Sequence, residues 1–265
     1  MTFLQLLIIA LVQGVTEFLP ISSSGHLILI PYFTNMPDQG PMIDVAVHIG
    51  SLLAIILYFW REVLGLARGG LATVGLGHDP EQRRLLWWIV VGTIPAILLG
   101  LFLKQGGYLE SFRSTTLVAV NLIVYGILLG IADRVGPRRK RYEDMTLKDA
   151  VIVGLAQALA LIPGTSRSGV TMTAARFLGY ERIEAARFSF LLSIPAVAGA
   201  GTLAVLDLAD ASTAMQWDAL IAGALTFLSA FATMAFLMRF LRHASMLVFV
   251  LYRVGLGVVL LAFFG

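Results

Sequence analysis

Uninterrupted apolar runs fall near residues 43–60, 85–103, 115–133, 185–206, 217–238 and 244–263. Each approaches the length of a bilayer crossing, about 20 residues of helix within a range of roughly 17–25. The pattern predicts six transmembrane helices. Two further apolar regions, 3–30 and 148–178, are each broken near the middle by a proline, Pro20 and Pro163, set among serines and glycines. Proline removes a helical N–H and its ring clashes with the preceding turn. Each region therefore predicts two short helical arms around a non-helical turn. An arm of about 14 residues is roughly 21 Å of helix, short of the hydrocarbon thickness of about 30 Å.

The basic residues give the runs a direction. "PRRKR" at 137–141, Arg61, Arg68, Arg83 and Arg84 in the 61–84 segment, and "RFLRH" at 239–243 mark the inner side, since short inner loops carry the excess of Lys and Arg. The 207–218 loop holds Asp207, Asp210 and Asp218 without a Lys or Arg and reads as outer. The 185–206 span then starts inside, beside Arg176, Arg182 and Arg187, and 148–178 must begin and end on one side. Span 43–60 ends inside at Arg61, so by the same reasoning 3–30 returns to the outer side. The expectation is two re-entrant helix hairpins entering from opposite faces.

Composition agrees. Of 265 residues, 58% are hydrophobic and only 13% are Asp, Glu, Lys or Arg, against about 25% charged in a soluble globule. There is too little polar surface for water. The absence of cysteine removes disulfides, thiolate metal sites and cysteine nucleophiles. The net charge of +3 is accounted for by membrane orientation, so no nucleic-acid partner is expected. The opening "MTFLQLLIIALVQG" lacks a basic n-region and reads as mature protein rather than a signal peptide.

A shift of 144 residues places Gln13 on Gln157, Ser22 on Ser166, Ser24 on Ser168 and Gly25 on Gly169. The matches coincide with the two breaks. The fold expected is thus an all-α polytopic membrane protein, a single domain over 1–265. It holds six transmembrane helices and two re-entrant hairpins in an inverted-topology repeat, 1–133 with 3–30 and 148–265 with 148–178. Such repeats are a transporter architecture with broken helices meeting near the midplane.

Polar side chains at membrane depth are costly and mark function. Here they are Glu17, His26 and Arg167, with Ser22, Ser23, Ser24, Ser166, Ser168 and Thr171 around them. Each has a duller role available: Glu17 as a hydrogen bond within the hairpin, His26 as a satisfied structural histidine, Arg167 as a snorkelling surface residue. Asn121, in mid-span, reads as a packing hydrogen bond, and His48 as structural or lining the outer mouth. The setting "PGTSRSG" favours an anion site. Small residues let backbone N–H groups from Gly164 and Thr165 to Gly169 converge at a helix start, and the guanidinium adds a bidentate grip on phosphate. An arginine, a carboxylate, a histidine and hydroxyls in an apolar cavity suit hydrolysis of a phosphoanhydride on a lipid-borne substrate, with a divalent cation held by Glu17 and the diphosphate. A transporter or flippase using the same phosphate site is the rival class.

At "QGVTEFLPISSSGHL", 13–27, and "PGTSRSGVTMTAA", 163–175, the chain resembles the bacterial undecaprenyl-diphosphatase family of the bacitracin-resistance type, over essentially its whole length. The resemblance implies hydrolysis of undecaprenyl diphosphate to the monophosphate carrier lipid and inorganic phosphate, for peptidoglycan synthesis. It implies a Mg²⁺ or Ca²⁺ requirement, a homodimer in the bacterial plasma membrane, and a site open to the external face. The site residues it implies are Glu17, Ser23, His26, Ser166, Arg167 and Thr171, with Ser22, Ser24, Gly25, Gly164, Thr165, Ser168 and Gly169 around the phosphates. Gln13 stands where family members often have Glu, leaving it a weak metal ligand beside Glu17. Ser23, His26 and water remain open as the attacking group.

Overall fold

Helix starts are written into the chain by polar caps ahead of apolar runs. In a computed structural model describing residues 1–34, 39–107, 112, 114–209 and 212–264, Thr2 accepts from the Gln5 N–H and opens α1, Phe3–Thr16, and the Gln5 Oε1 accepts in return from the Thr2 N–H. Asp79 with Pro80 opens α5, Pro80–Gln105. Ser114 opens α6, Thr115–Val135, Thr146 and Asp149 form a capping box for α7, Leu147–Leu159, and Ser212 opens α10, Thr213–Phe240. These side chains satisfy N–H groups that the first helical turn leaves unpaired. The remaining helices are α2, Ser23–Thr34; α3, Gly40–Tyr58; α4, Trp60–Thr73; α8, Arg167–Phe177; α9, Arg182–Ala209; and α11, Leu247–Phe264. Among the described residues the extended pairing is confined to an isolated bridge between Lys140 and Tyr180.

Five described helices, α3, α5, α6, α10 and α11, are long and apolar enough to cross a membrane. Their outward faces are apolar: Trp87, Ile94, Leu98 and Phe102 on α5 and Leu251 and Val258 on α11 are exposed, whereas Glu17, Ser168, Thr171 and Arg253 are buried. This polar-inside arrangement suits a lipid solvent. The protein is an all-α, multi-pass membrane protein. The 185–206 run lies in α9, which carries Pro195 within its length. Asp210, read as part of the acidic loop, lies outside the described residues.

Helices approach closely where glycines face each other. A Cβ added at Gly154 of α7 would lie 2.4 Å from the Gly92 carbonyl oxygen of α5, and one at Gly50 of α3 would lie 2.2 Å from that of Gly223 in α10. Without a hydrophobic drive between helices in lipid, such small-residue contacts supply the packing. Besides α5 on α7 and α3 on α10, α1 packs on α10, α11 on α6, and α8 on α6 and α7.

One detail departs from the sequence reading. The 61–84 segment is not all loop: α4 is a helix whose buried Gly65, Gly69 and Ala72 face α5. Arg176, placed on the inner side with Arg182 and Arg187, is fully buried. It donates to the carbonyls of Pro137, Asp133, Gly136 and Tyr180. Asp133 takes both Nε and Nη2 of Arg182, at 2.6 and 2.8 Å, and the Met246 N–H at 3.1 Å. The basic loop is thereby tied to the α8–α9 turn and the start of α11. Asn121 donates to the Pro163 carbonyl at 2.8 Å, the packing bond expected of it.

Candidate active site

The two broken regions form turns of the same local design. Ser22 and Ser166 both have positive φ, 78° and 71°, a region that a non-glycine residue enters at a cost. The Ser22 Oγ accepts from the Gly25 N–H at 3.4 Å and the Ser166 Oγ from the Gly169 N–H at 3.1 Å. Ser22 lies 3.4 Å from the Ser24 hydroxyl, and Ser166 lies 3.3 Å from that of Ser168. Each serine thus turns the chain and caps the helix that follows. Gly164 also has positive φ, 85°, and an added Cβ would strike the Val118 backbone, so the second break lies directly against α6.

The breaks meet. Glu17, at the end of α1, accepts from Arg167 Nη2 through Oε1 at 2.8 Å and from the Ser23 hydroxyl through Oε2 at 2.6 Å. The Gln13 amide nitrogen donates to the same Oε2 at 3.1 Å. Glu17 and Arg167 are only 7% and 14% exposed, so the pair lies in a weakly polar setting that strengthens its attraction. Arg167 Nη1 reaches the Ser189 carbonyl at 3.4 Å. A guanidinium carries five N–H donors, leaving Arg167 capacity for phosphoryl oxygens. Ser168 bridges the breaks by donating to the Leu19 carbonyl at 3.0 Å. Beneath them Phe18 packs edge-on against Phe190 of α9.

The other expected residues divide by position. Ser24 is exposed, whereas Ser22, Gly25, Gly164, Thr165, Ser166, Ser168 and Gly169 are buried in the two turns. Thr171 is fully buried, donates to the Arg167 carbonyl at 2.8 Å and lies 2.6 Å from the Ser189 hydroxyl; it braces the helix that carries Arg167. None of the hydrogen bonds of the described residues joins His26 to Glu17, Ser23 or Arg167. Its Nδ1 lies 2.7 Å from the Ser22 carbonyl and its Nε2 lies 2.6 Å from the Tyr252 hydroxyl of α11. The His48 Nδ1 bonds to the carbonyl of Asp44 at 2.6 Å.

The divalent-cation site expected from Glu17 and Gln13 is corrected. Among the described residues no three His, Cys, Asp or Glu side chains come together as a Mg²⁺ or Ca²⁺ ligand set. The Glu17 carboxylate faces Arg167, Ser23 and Gln13 instead, and Gln13 turns its N–H₂, not its carbonyl, toward Glu17. The positive charge beside the carboxylate is the guanidinium.

Sequence reasoning missed Arg253. It sits in the apolar α11, is fully buried, and donates to five carbonyls. These are Pro20 in the first break, Gly164 and Thr165 in the second, and Asn121 and Leu122 in α6. One side chain therefore clasps both turns. Its signal was in the sequence: a lone arginine in mid-helix, in "LVFVLYRVGLG", is costly in lipid. Its partners are backbone oxygens, and no residue pattern announces those.

Fold and site together define a multi-pass membrane protein with an arginine–carboxylate–serine cluster built where two helix breaks meet. Residues 6–259 match the family described as Bacitracin resistance protein BacA, and the chain belongs to that family. It is 64% identical over 285 aligned residues to a protein of Erythrobacter litoralis named undecaprenyl-diphosphatase, covering all of both chains. Proteins of the same name from Jannaschia sp. and Alteromonas mediterranea are each 48% identical, over 98% and 99% of both chains respectively.

Proposed function

We propose that this protein hydrolyses undecaprenyl diphosphate to undecaprenyl phosphate and inorganic phosphate, recycling the carrier lipid for peptidoglycan synthesis in a bacterial plasma membrane. The observation that carries the reading is the contact of Ser23, Glu17 and Arg167 across the two breaks. The family and the names of its members give the substrate class.

In this reading Arg167 and the N–H groups around Ser166–Gly169 hold the diphosphate, at the start of α8 where a helix favours anions. The Ser23 proton passes to Glu17 Oε2, 2.6 Å away, and Oγ attacks the terminal phosphorus. The phosphoanhydride P–O bond breaks, and the bridging oxygen leaves with the lipid monophosphate. Water then cleaves the phosphoserine, returning Ser23 and releasing phosphate. Arg167 offsets charge on the phosphoryl oxygens in the transition state. Serine is favoured over His26 as the attacking group because Ser23 is bonded to a carboxylate while both nitrogens of His26 face elsewhere.

The reading extends to six crossings, with α9 as the sixth, and to two re-entrant pairs, α1–α2 and α7–α8. An inverted repeat of 1–133 and 148–265 is supported by the matching turns at Ser22 and Ser166. It is supported too by helix pairing: exchanging the halves turns α5 on α7 into α10 on α1, and both contacts occur. A site open to the external face is what the family resemblance supports. A homodimer follows from the family resemblance alone, and sedimentation in detergent tests it.

The decisive experiment is phosphate release from undecaprenyl diphosphate by purified protein in detergent, where no two-sided membrane exists. Turnover is expected, together with a radiolabelled phosphoenzyme that Ser23→Ala abolishes. Lipid binding without phosphate release would favour the transporter class, and retained turnover in Ser23→Ala would remove serine as nucleophile.

A further inference from the structure

The hydrogen bonds of His26 fix its chemistry. A carbonyl oxygen only accepts, so the 2.7 Å contact to the Ser22 carbonyl places a hydrogen on Nδ1. In the neutral ring Nε2 is then the acceptor, and the Tyr252 hydroxyl, 2.6 Å away, donates to it. Were Nε2 to gain a proton, its N–H would meet the phenol oxygen, which also accepts. The same contact serves both protonation states without ring rotation. The two rings lie nearly parallel, 9° apart, with centroids 5.7 Å from each other.

Both ends of this arrangement are anchored. The Ser22 carbonyl is held by the capped turn. Tyr252 directly precedes Arg253, whose guanidinium ties α11 to Pro20, Gly164 and Thr165. The Tyr252 ring itself is 45% exposed. It adds little to the core, while its hydroxyl is aimed at the basic nitrogen.

We propose that Tyr252 is a positioning residue for His26: its hydroxyl holds the imidazole in the Nδ1–H form with Nε2 directed away from the Ser22 turn. The proposal rests on the phosphatase reading for its consequence in turnover, with His26 moving a proton in the step in which water cleaves the phosphoserine.

The test compares the native full chain with Tyr252→Phe in detergent. Phosphate release from undecaprenyl diphosphate is expected to fall about tenfold in kcat, a part of the 10²–10⁴-fold typical of acid–base groups, with KM within twofold. Independently of substrate, ¹⁵N NMR of histidine-labelled protein is expected to show His26 as the Nδ1–H tautomer, and its Nε2 resonance is expected to move in Tyr252→Phe. Unchanged kcat, a loss carried by KM, or an unmoved Nε2 resonance would overturn the proposal. A native protein that releases no phosphate, but whose Nε2 signal responds to the substitution, would defeat the phosphatase reading and leave the tyrosine–histidine pair standing.

Discussion

Replacing Arg253 with methionine removes the charge and all five donors while keeping an unbranched side chain. Three of the five bonds are short: 3.1 Å to Pro20, 3.0 Å to Gly164 and 2.9 Å to Thr165. The other two, to Leu122 and Asn121, are 3.3 and 3.4 Å. A hydrogen bond to a charged group contributes about 1.5–3 kcal/mol net. Counting the three short bonds at the lower end gives about 4–5 kcal/mol. All three end on the turns that carry Ser23 and Arg167, so much of the loss falls on alignment of the site. If half is felt in the transition state, kcat falls about fortyfold, at about 1.4 kcal/mol per factor of ten. The assay is phosphate release with a thermal melt of the same preparation in detergent. Methionine is expected to lower both turnover and the unfolding midpoint. Lysine is expected to recover a fraction, because an ammonium is a point charge with three donors and cannot span carbonyls on three segments. Arg253→Met with kcat within twofold of native and an unchanged midpoint would refute the clasp.

Three further outcomes are expected. Arg167→Ala should cost about 10²–10³-fold in kcat, the scale for losing a key electrostatic donor; native-like phosphate release from that variant would remove the anchor role. Asp149 lies in the first turn of α7; burial raises its pKa, but bonds from Tyr180, Thr146 and Lys140 outweigh burial and hold the carboxyl below its ordinary value of 3.8. Its contribution to stability is therefore in place above about pH 4 and lost as pH falls through the depressed value, so melting curves of native protein and Asp149→Asn should converge in acid, and parallel curves would contradict this. Gly154→Val should force α7 from α5, where even a Cβ would lie 2.4 Å from the Gly92 oxygen, at about 1–3 kcal/mol or more; an unaltered melt would show that the helices can separate freely.

Much of the fold was legible because membrane helices obey one strong rule: every backbone group must be bonded within the segment. Length and apolarity alone marked the runs that became α3, α5, α6, α10 and α11. The breaks were legible because Pro20 and Pro163 stand among serines and glycines. The amphipathic α4 was not, since its exposed face carries Arg61 and Arg68 and the segment reads as a basic loop. The burial of Arg176 was not legible either. An arginine near a loop looks like a solvated charge, and only the folded chain shows the four carbonyls that enclose it.

The candidate site divides along the same line. Residue types marked Glu17, His26, Arg167 and the serine clusters, because charges and clustered hydroxyls at membrane depth persist only where something satisfies them, and the family resemblance singled out Ser23. Distance was not in the sequence. Glu17 and Arg167 are separated by 150 positions and meet at 2.8 Å. Only that meeting shows the carboxylate bound by guanidinium, hydroxyl and amide rather than arranged as a cation site. The partners of Arg253 and Tyr252 belong wholly to the tertiary structure, since the carbonyls and the imidazole that they bond come from segments over 80 residues away. The amino-acid sequence determined which segments are long and apolar enough to cross a membrane and where helices break, through local hydrophobicity and backbone chemistry. Which broken ends face one another, and which buried charge is neutralised by which partner, depended on helix packing that joins positions remote along the chain.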